Sequence, residues 1–280
     1  MSESHTATGE VRAALTFIVK QDTKPYFNSS ALTGGKPEVF FETEDREVTI
    51  HDMRAEAKGF TLDGAGFELR RSPTAVEDLY DDEAVERLYD REIEALLKDA
   101  TGADRAVVFD RTRRSDAPDG AANPDGLRGP ADRVHVDYTT LSGPIRAGDA
   151  FGKGEVERIL AAGGRIVQIN VWRPITGPVE RSPLALATAD SIGPDELIAV
   201  DQIFPDRTGE IYQLAYAPEQ RWYWASAMER DEVLLIKGWD SLDDGRARFT
   251  PHGAFRLPGH DAAGRARESI EIRAYVIFGG

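Results

Sequence analysis

The hydrophobic rhythm changes along the chain. Residues 13–19 (AALTFIV) are a β-branched and aromatic run that reads as a strand, and residues 37–53 (PEVFFETEDREVTIHDM) give two more short strands around a charged turn. Residues 78–102 then place Val85, Leu88, Ile93, Leu96 and Leu97 at helical spacing. Acidic residues crowd the start of that stretch and Gly102 lies past its end, so the pattern predicts a helix over 83–100. RAVVFDRTRR (105–114) returns to strand character. Residues 115–132 (SDAPDGAANPDGLRGPAD) have no period and read as a long loop. Loops of that length in compact domains are either disordered or functional. Residues 119–133 are a candidate lid, because they run directly into the most unusual strand of the chain.

A short helix is predicted over 155–164 (EVERILAAGG), stopped by glycine. After it, 165–175, 195–204, 210–217, 221–228, 232–240 and 268–278 are strand-like, separated by turn signals such as GPVERSP, PDRTG and DSLDDG. Short strands at even intervals predict an antiparallel sandwich or barrel. No internal repeat is visible. The expectation is an α+β, mainly β, single domain over 1–280: an N-terminal support region of helix and strands over 1–118, the loop, and a β core over 134–280.

Composition narrows the chemistry. The 280 residues include no cysteine, which excludes disulfides, thiolate metal sites and cysteine nucleophiles. Any metal must be held by His, Asp, Glu or backbone oxygen, a donor set for harder ions. The net charge of −15 argues against nucleic acid. No apolar run approaches the roughly 18 residues of a membrane helix. MSESHTATGE lacks the basic and hydrophobic pattern of a signal peptide, so a cytoplasmic location is expected. There is no G-x-S-x-G, no P-loop and no G-x-G-x-x-G after a strand.

Against this background DRVHVDYTT (132–140) stands out. His135 and Asp137 are one residue apart, so on a strand they project to the same face. An imidazole nitrogen and a carboxylate oxygen so placed can chelate a metal. A second His from a distant strand completes the two-His-one-carboxylate set of non-haem Fe(II) sites. Of the five histidines, His5 lies in a polar tail and His51 lies far upstream. His252 follows a Thr-Pro turn and precedes apolar residues, whereas His260 sits among Gly, Asp and Ala, so His252 is the stronger candidate. Further on, Arg267 and Ser269 form an R-x-S pair on one strand face. A guanidinium beside a hydroxyl suits the far carboxylate of 2-oxoglutarate, bound by charge-assisted hydrogen bonds. Arg273 shares that face and is the second choice. Gln168, Asn170 and Trp172 share a face of the 165–175 strand, an odd row for an apolar core, and are candidates to line a substrate pocket. Buried amides bonded to backbone are the alternative. Trp222 and Trp224 read as packing, and Arg173, Glu229, Arg230 and Asp231 as structural ion pairs.

The order H-x-D, then His, then R-x-S is collinear with VHVDYT, NVWRPITGPVERSPLALATADSI, RWYWASAMERDEVLLIKGWDS, RARFTPHGAF and RESIEIRAYV, over residues 134–276. This half of the chain resembles the CmcJ/AsaB/NvfI-type family of non-haem iron oxygenases from bacterial and fungal secondary metabolism. LTFIV and VERLYDREIEALL, in the first part, fit it less specifically. The resemblance implies a distorted jelly-roll (double-stranded β-helix) core with Fe(II), 2-oxoglutarate and O2. It implies iron ligands at His135, Asp137 and His252, and oxidation of a C–H bond of a small natural product by hydroxylation or desaturation. The cosubstrate role of Arg267 and Ser269 follows from the R-x-S pattern. A jelly-roll protein that binds a small molecule without turnover, and a metal-dependent hydrolase or isomerase on the same ligands, are the competing expectations.

Overall fold

The computed structural model describes residues 9–56, 59–123, 126–259 and 264–279. Two sheets face each other, as the expected jelly roll requires. The larger has ten strands, in the order Val11–Ile18, Thr43–Asp52, Trp222–Trp224, Leu184–Ala187, His252–Ala254, His135–Val136, Thr208–Leu214, Leu197–Ile203, Tyr26–Asn28 and Glu38–Val39. This sheet curls on itself. Leu15 and Phe17 share a core with Val134 and Leu214, and Val134 N donates to Thr16 O at 2.9 Å. The smaller sheet has five antiparallel strands, in the order Phe67–Arg71, Glu232–Asp240, Arg165–Pro174, Glu268–Phe278 and Arg105–Ser115. In the larger sheet, Tyr26–Asn28 joins Leu197–Ile203 in parallel, and Thr43–Asp52 joins Trp222–Trp224 in parallel. Strands from the first 118 residues therefore enter both sheets.

Period-2 alternation sorts the side chains of the smaller sheet. From its two central strands, Val167, Ile169, Val171, Ile270, Ile272, Ala274 and Val276 face outward onto a helix. That helix is one continuous run: Asp82–Ala84, a π-helical Val85–Tyr89, and Asp90–Thr101. The Asp81 side chain accepts from Ala84 N at its start, and Gly102, at φ 71°, ends it in the left-handed conformation that glycine adopts without strain. Val85, Ile93 and Leu97 of the stripe read from the sequence are buried there together with Tyr89, Leu96 is partly buried, and Leu88 faces solvent. Each such side chain, fully removed from water, stabilises by about 1.5–3 kcal/mol. The opposite faces of the same strands carry Gln168, Asn170, Trp172, Ser269, Glu271 and Arg273 toward the larger sheet.

Several local expectations need correction. The charged stretch 44–47 is not a turn: it lies inside Thr43–Asp52, paired along its length with Val11–Ile18. Residues 115–132 are not structureless. Ala121–Asn123 and Gly126–Arg128 form a hairpin, and Asn123 Oδ1 accepts from Arg113 N at 2.7 Å. Its strands are too short to show alternation. The helix expected at 155–164 spans Lys153–Ala161, and a further helix, Ser142–Phe151, precedes it. The Gly and Pro content of SGPIRAGDAF hid that helix. Its Gly143 carbonyl accepts from Tyr275 Oη at 3.0 Å, which ties it to the smaller sheet.

A buried ion cluster closes one end of the smaller sheet. Lys237, 1% exposed, donates to Asp63 Oδ1 at 2.6 Å, Asp240 Oδ2 at 3.0 Å and Ala247 O at 2.9 Å. Arg165 bridges the same two carboxylates. Asp240→Asn should leave two buried cations short of a counter-charge and cost about 3 kcal/mol in urea denaturation. Partial burial works against ionisation of Asp63, but Arg165 and Lys237 override it and hold the carboxyl at about 2 against an ordinary 3.8. The folded value lies below the unfolded one, so this contribution is present above 3.8 and fades as pH falls toward 2. Asp63→Asn should flatten that part of a plot of Tm against pH.

Candidate metal centre

Cross-strand register brings together residues far apart in sequence. His135 and His252 are direct partners in the larger sheet, with ring centroids 4.6 Å apart. Alternation puts Asp137 on the face of His135, and its Oδ1 lies 3.6 Å from His135 Nε2. Each imidazole uses Nδ1 on a backbone carbonyl two residues earlier: His135 on Arg133 O and His252 on Thr250 O, both at 2.9 Å. A carbonyl only accepts, so Nδ1 carries the proton and Nε2 keeps its lone pair. His135 Nε2 and Asp137 Oδ1 thus face each other as two acceptors, which a cation between them would reconcile. Burial, and then the neighbouring His135, push His252 down to about 4, so it is neutral near pH 7. Burial opposes ionisation of Asp137, but the Arg273 guanidinium prevails and holds its carboxyl well below the usual range. Among the described residues no three His, Asp or Glu side chains stand as a finished metal cage; the fold supplies the close approach of His135 to each of the other two. His51 is a member of the same sheet rather than lying upstream of it, but its half-exposed ring sits beside Glu10 and Tyr223, away from this trio. His5 and His260 lie outside the described residues.

From Asp137 a polar stripe crosses the inward face of the smaller sheet. In register, Asp110 stands opposite Arg273, Thr112 opposite Glu271 and Arg114 opposite Ser269. Arg273 is fully engaged: Nε donates to Asp137 Oδ2 at 3.0 Å, Nη1 to Asp110 and Thr112, and Nη2 pairs with Glu271. Arg267 is the opposite case. It is 2% exposed, it stands 5.8 Å above the Trp172 ring, and none of its three guanidinium nitrogens has a hydrogen-bond partner among the described residues. Burial, and then the neighbouring Arg114, lower it to about 10, so it remains a cation at neutral pH. Arg267 precedes the strand Glu268–Phe278. Its backbone N donates to Asp116 Oδ1 at 2.7 Å, and Asp116 is clamped in turn by Arg181 and Ser182. The buried Ser269 hydroxyl reaches only Arg114 O, at 3.5 Å. An unpaired buried cation costs several kcal/mol, and an anionic ligand supplies the missing acceptors.

The row expected to line a substrate pocket is turned to these two centres. Gln168 and Asn170 are fully buried, and Asn170 Nδ2 donates to Asp137 Oδ2 at 2.6 Å. Trp172 lies beneath Arg267. Asp110, Thr112 and Arg114 were not anticipated. Their signal is that residues 110–114 are all polar, so neither face of that strand end is apolar. Arg114 Nη1 also donates to Gly129 O at 2.9 Å, which joins the stripe to the segment after the hairpin. Trp222 and Trp224 pack in the core, as read. Arg173 forms no ion pair among the described residues: it donates to Tyr89 Oη and to the carbonyls of Arg230 and Ser72.

Comparisons with known proteins identify the family. Residues 15–277 match the family model described as an oxidoreductase/YMDC permease-like domain. No helix among the described residues is long and apolar enough to cross a membrane. The hydroxylase/desaturase efuI of Hormonema carpetanum is 33% identical, over 82% of this chain and 83% of its own. The Fe(II)/2-oxoglutarate-dependent dioxygenase nvfI of Aspergillus novofumigatus is 32% identical, over 88% of each. A solved structure of the iron and alpha-ketoglutarate-dependent endoperoxidase NvfI superimposes with a TM-score of 0.83 at 28% identity, covering 98% of this chain and 100% of that one. The chain belongs to the CmcJ/AsaB/NvfI-type family of non-haem Fe(II)/2-oxoglutarate-dependent oxygenases.

Proposed function

We propose that His135, Asp137 and His252 hold the Fe(II) of this oxygenase, and that Arg267, with Ser269 beside it, anchors the far carboxylate of 2-oxoglutarate. The observation that carries this reading is Arg267: a buried guanidinium without a hydrogen-bond partner among the described residues, on the polar face that Asp137 meets from the opposite sheet. Such a cation calls for a carboxylate, and its planar fork suits one bidentately. The donor set fits a divalent ion, with imidazoles whose Nε2 is free to bind and an ionised carboxylate. Arg273 is the weaker anchor because its donors are already committed.

With 2-oxoglutarate and O2, bound iron supplies the oxidising chemistry, and the cosubstrate leaves as succinate and CO2. The chain's own residues do the rest. Arg267 and Ser269 orient the diacid, Arg273 and Asn170 hold Asp137, and the facing sheets keep bulk water from the reacting atoms. The substrate in this reading is a small natural product whose C–H bond is hydroxylated or desaturated; the relative efuI is named a hydroxylase/desaturase. A surface with net charge −15 disfavours nucleic acid as a partner. A cytoplasmic location, where 2-oxoglutarate is supplied, belongs to the same reading.

Anaerobic titration with Fe(II) and 2-oxoglutarate tests the ligand assignment. The wild type should develop a weak visible charge-transfer band. His135→Ala and Asp137→Ala should abolish it, and His260→Ala should leave it intact. A band that survives in His135→Ala, or is lost in His260→Ala, contradicts the assignment. Arg267→Gln should weaken 2-oxoglutarate binding by about 2 kcal/mol or more, roughly thirtyfold, with Fe(II) affinity kept. Unchanged 2-oxoglutarate affinity in that variant would remove Arg267 from the role.

A further inference from the structure

Asp137 is held by more than one route, and one of them runs through a defect in the smaller sheet. Between Arg165–Pro174 and Glu232–Asp240 the register steps from Gln168 opposite Trp239 to Ile169 opposite Lys237. Gly238 is left unpaired, as the bulged residue. Bulges re-aim side chains and are common beside active sites. A Cβ at Gly238 would lie 1.9 Å from Gln168 Oε1, so only glycine lets the Gln168 amide occupy its present seat. From there Gln168 Nε2 donates to Asn170 Oδ1 at 2.6 Å, and Asn170 Nδ2 donates to Asp137 Oδ2 at 2.6 Å. The direction of the relay is fixed. Asp137 Oδ2 already accepts from Arg273 Nε, so Asn170 turns its NH2 toward that oxygen and its own oxygen toward Gln168. Both amides are 0% exposed, so water does not compete for these bonds.

We propose that Gln168 and Asn170, seated by the bulge at Gly238, form with Arg273 a positioning clamp that fixes which oxygen of Asp137 faces the metal. This role rests on the reading of Asp137 as an iron ligand. Asn170 and Arg273 both donate to Oδ2, at 2.6 and 3.0 Å. Oδ1 is the oxygen near His135 Nε2, at 3.6 Å. A carboxylate with one oxygen doubly engaged cannot rotate freely and offers its other oxygen alone. Outer partners that orient a ligand in this way typically raise metal affinity about 10- to 100-fold. If the amides were only satisfied core groups, their loss would lower stability and leave metal affinity where it was.

The test is calorimetric titration of the metal-free full chain with Co(II) alone, beside its thermal midpoint and the visible absorption of bound Co(II). Asp137→Ala should lose binding. Asn170→Leu and Gly238→Ala should each bind Co(II) about 10- to 100-fold more weakly, with an altered Co(II) spectrum. Gly238→Ala displaces only the far end of a flexible side chain, so it should keep the fold even if Asn170→Leu does not. Because Gly238 acts through Gln168, the double variant Gly238→Ala, Gln168→Leu should be no weaker than Gln168→Leu alone. If Asp137→Ala loses binding while Gly238→Ala and any folded Asn170→Leu bind as tightly as wild type, the clamp is overturned and the ligand reading stands. A wild type that takes up no Co(II), or an Asp137→Ala that binds like wild type, overturns the ligand reading and the clamp with it.

Discussion

Asp137 follows a short strand of the larger sheet and is caught by Arg273 and Asn170 of the smaller one. That charged bond across the sandwich is the constraint on which the candidate site depends. Desolvation costs several kcal/mol for each buried ion, and the contact between Asp137 and Arg273 offsets that cost for both. Arg273 also meets Asp110 and Glu271, and the effect on the acids differs. Asp137 is held well below its ordinary range, while burial pushes Glu271 up in spite of the same guanidinium. Asp110, despite its burial, is lowered by the same guanidinium, and Asp137 is the one of the three that faces the two imidazoles. Arg267 lies six residues away on the same inward face and has no such partners. Two arginines in one stripe thus solve the same desolvation problem in opposite ways. One is neutralised by the protein, and the other is left for a ligand.

Much of this was legible because strand alternation is local. Period 2 alone places His135 with Asp137, Gln168 with Asn170, and Ser269 with Arg273, and the faces found are those. The R-x-S pattern put Arg267 ahead of Arg273 as the proposed anchor, but the difference between their surroundings was not legible. It depends on which arginine meets Asp110, Thr112 and Glu271, and that is set by pairing between strands distant in sequence. The direct pairing of His135 with His252 is likewise a fact of register, although the Thr-Pro turn before His252 hinted at a strand. Elements without a period were missed for matching reasons. Leu184–Ala187 is buried on both faces, so LALA shows no alternation. The parallel joining of Thr43–Asp52 to Trp222–Trp224 leaves no trace in either segment. The bulge at Gly238 is invisible until the register around it is known.

Relatives at 32–33% identity carry the names of a hydroxylase/desaturase and a 2-oxoglutarate-dependent dioxygenase, and the NvfI structure, an endoperoxidase, shares this sandwich at a TM-score of 0.83. A common scaffold with differently named chemistries implies that iron and cosubstrate handling is separated from control of the outcome. The strands explain how. Gln168, Asn170, Glu271, Arg267 and Ser269 are all less than a tenth exposed; strand register fixes four of them and the bond from its backbone N to Asp116 holds Arg267, so few substitutions there keep both fold and site. The hairpin segment after Ser115 and the helices Ser142–Phe151 and Lys153–Ala161 are bound by fewer such constraints. They adjoin the stripe at Arg114 to Gly129 and Tyr275 to Gly143, and the helices pack Ala147, Val156 and Ile159 against Trp239 and Tyr275. A shift of about 1 Å in where a substrate C–H bond rests is enough to change a rate a hundredfold. Different reactions on one sandwich therefore require no change at Asp137 or Arg267.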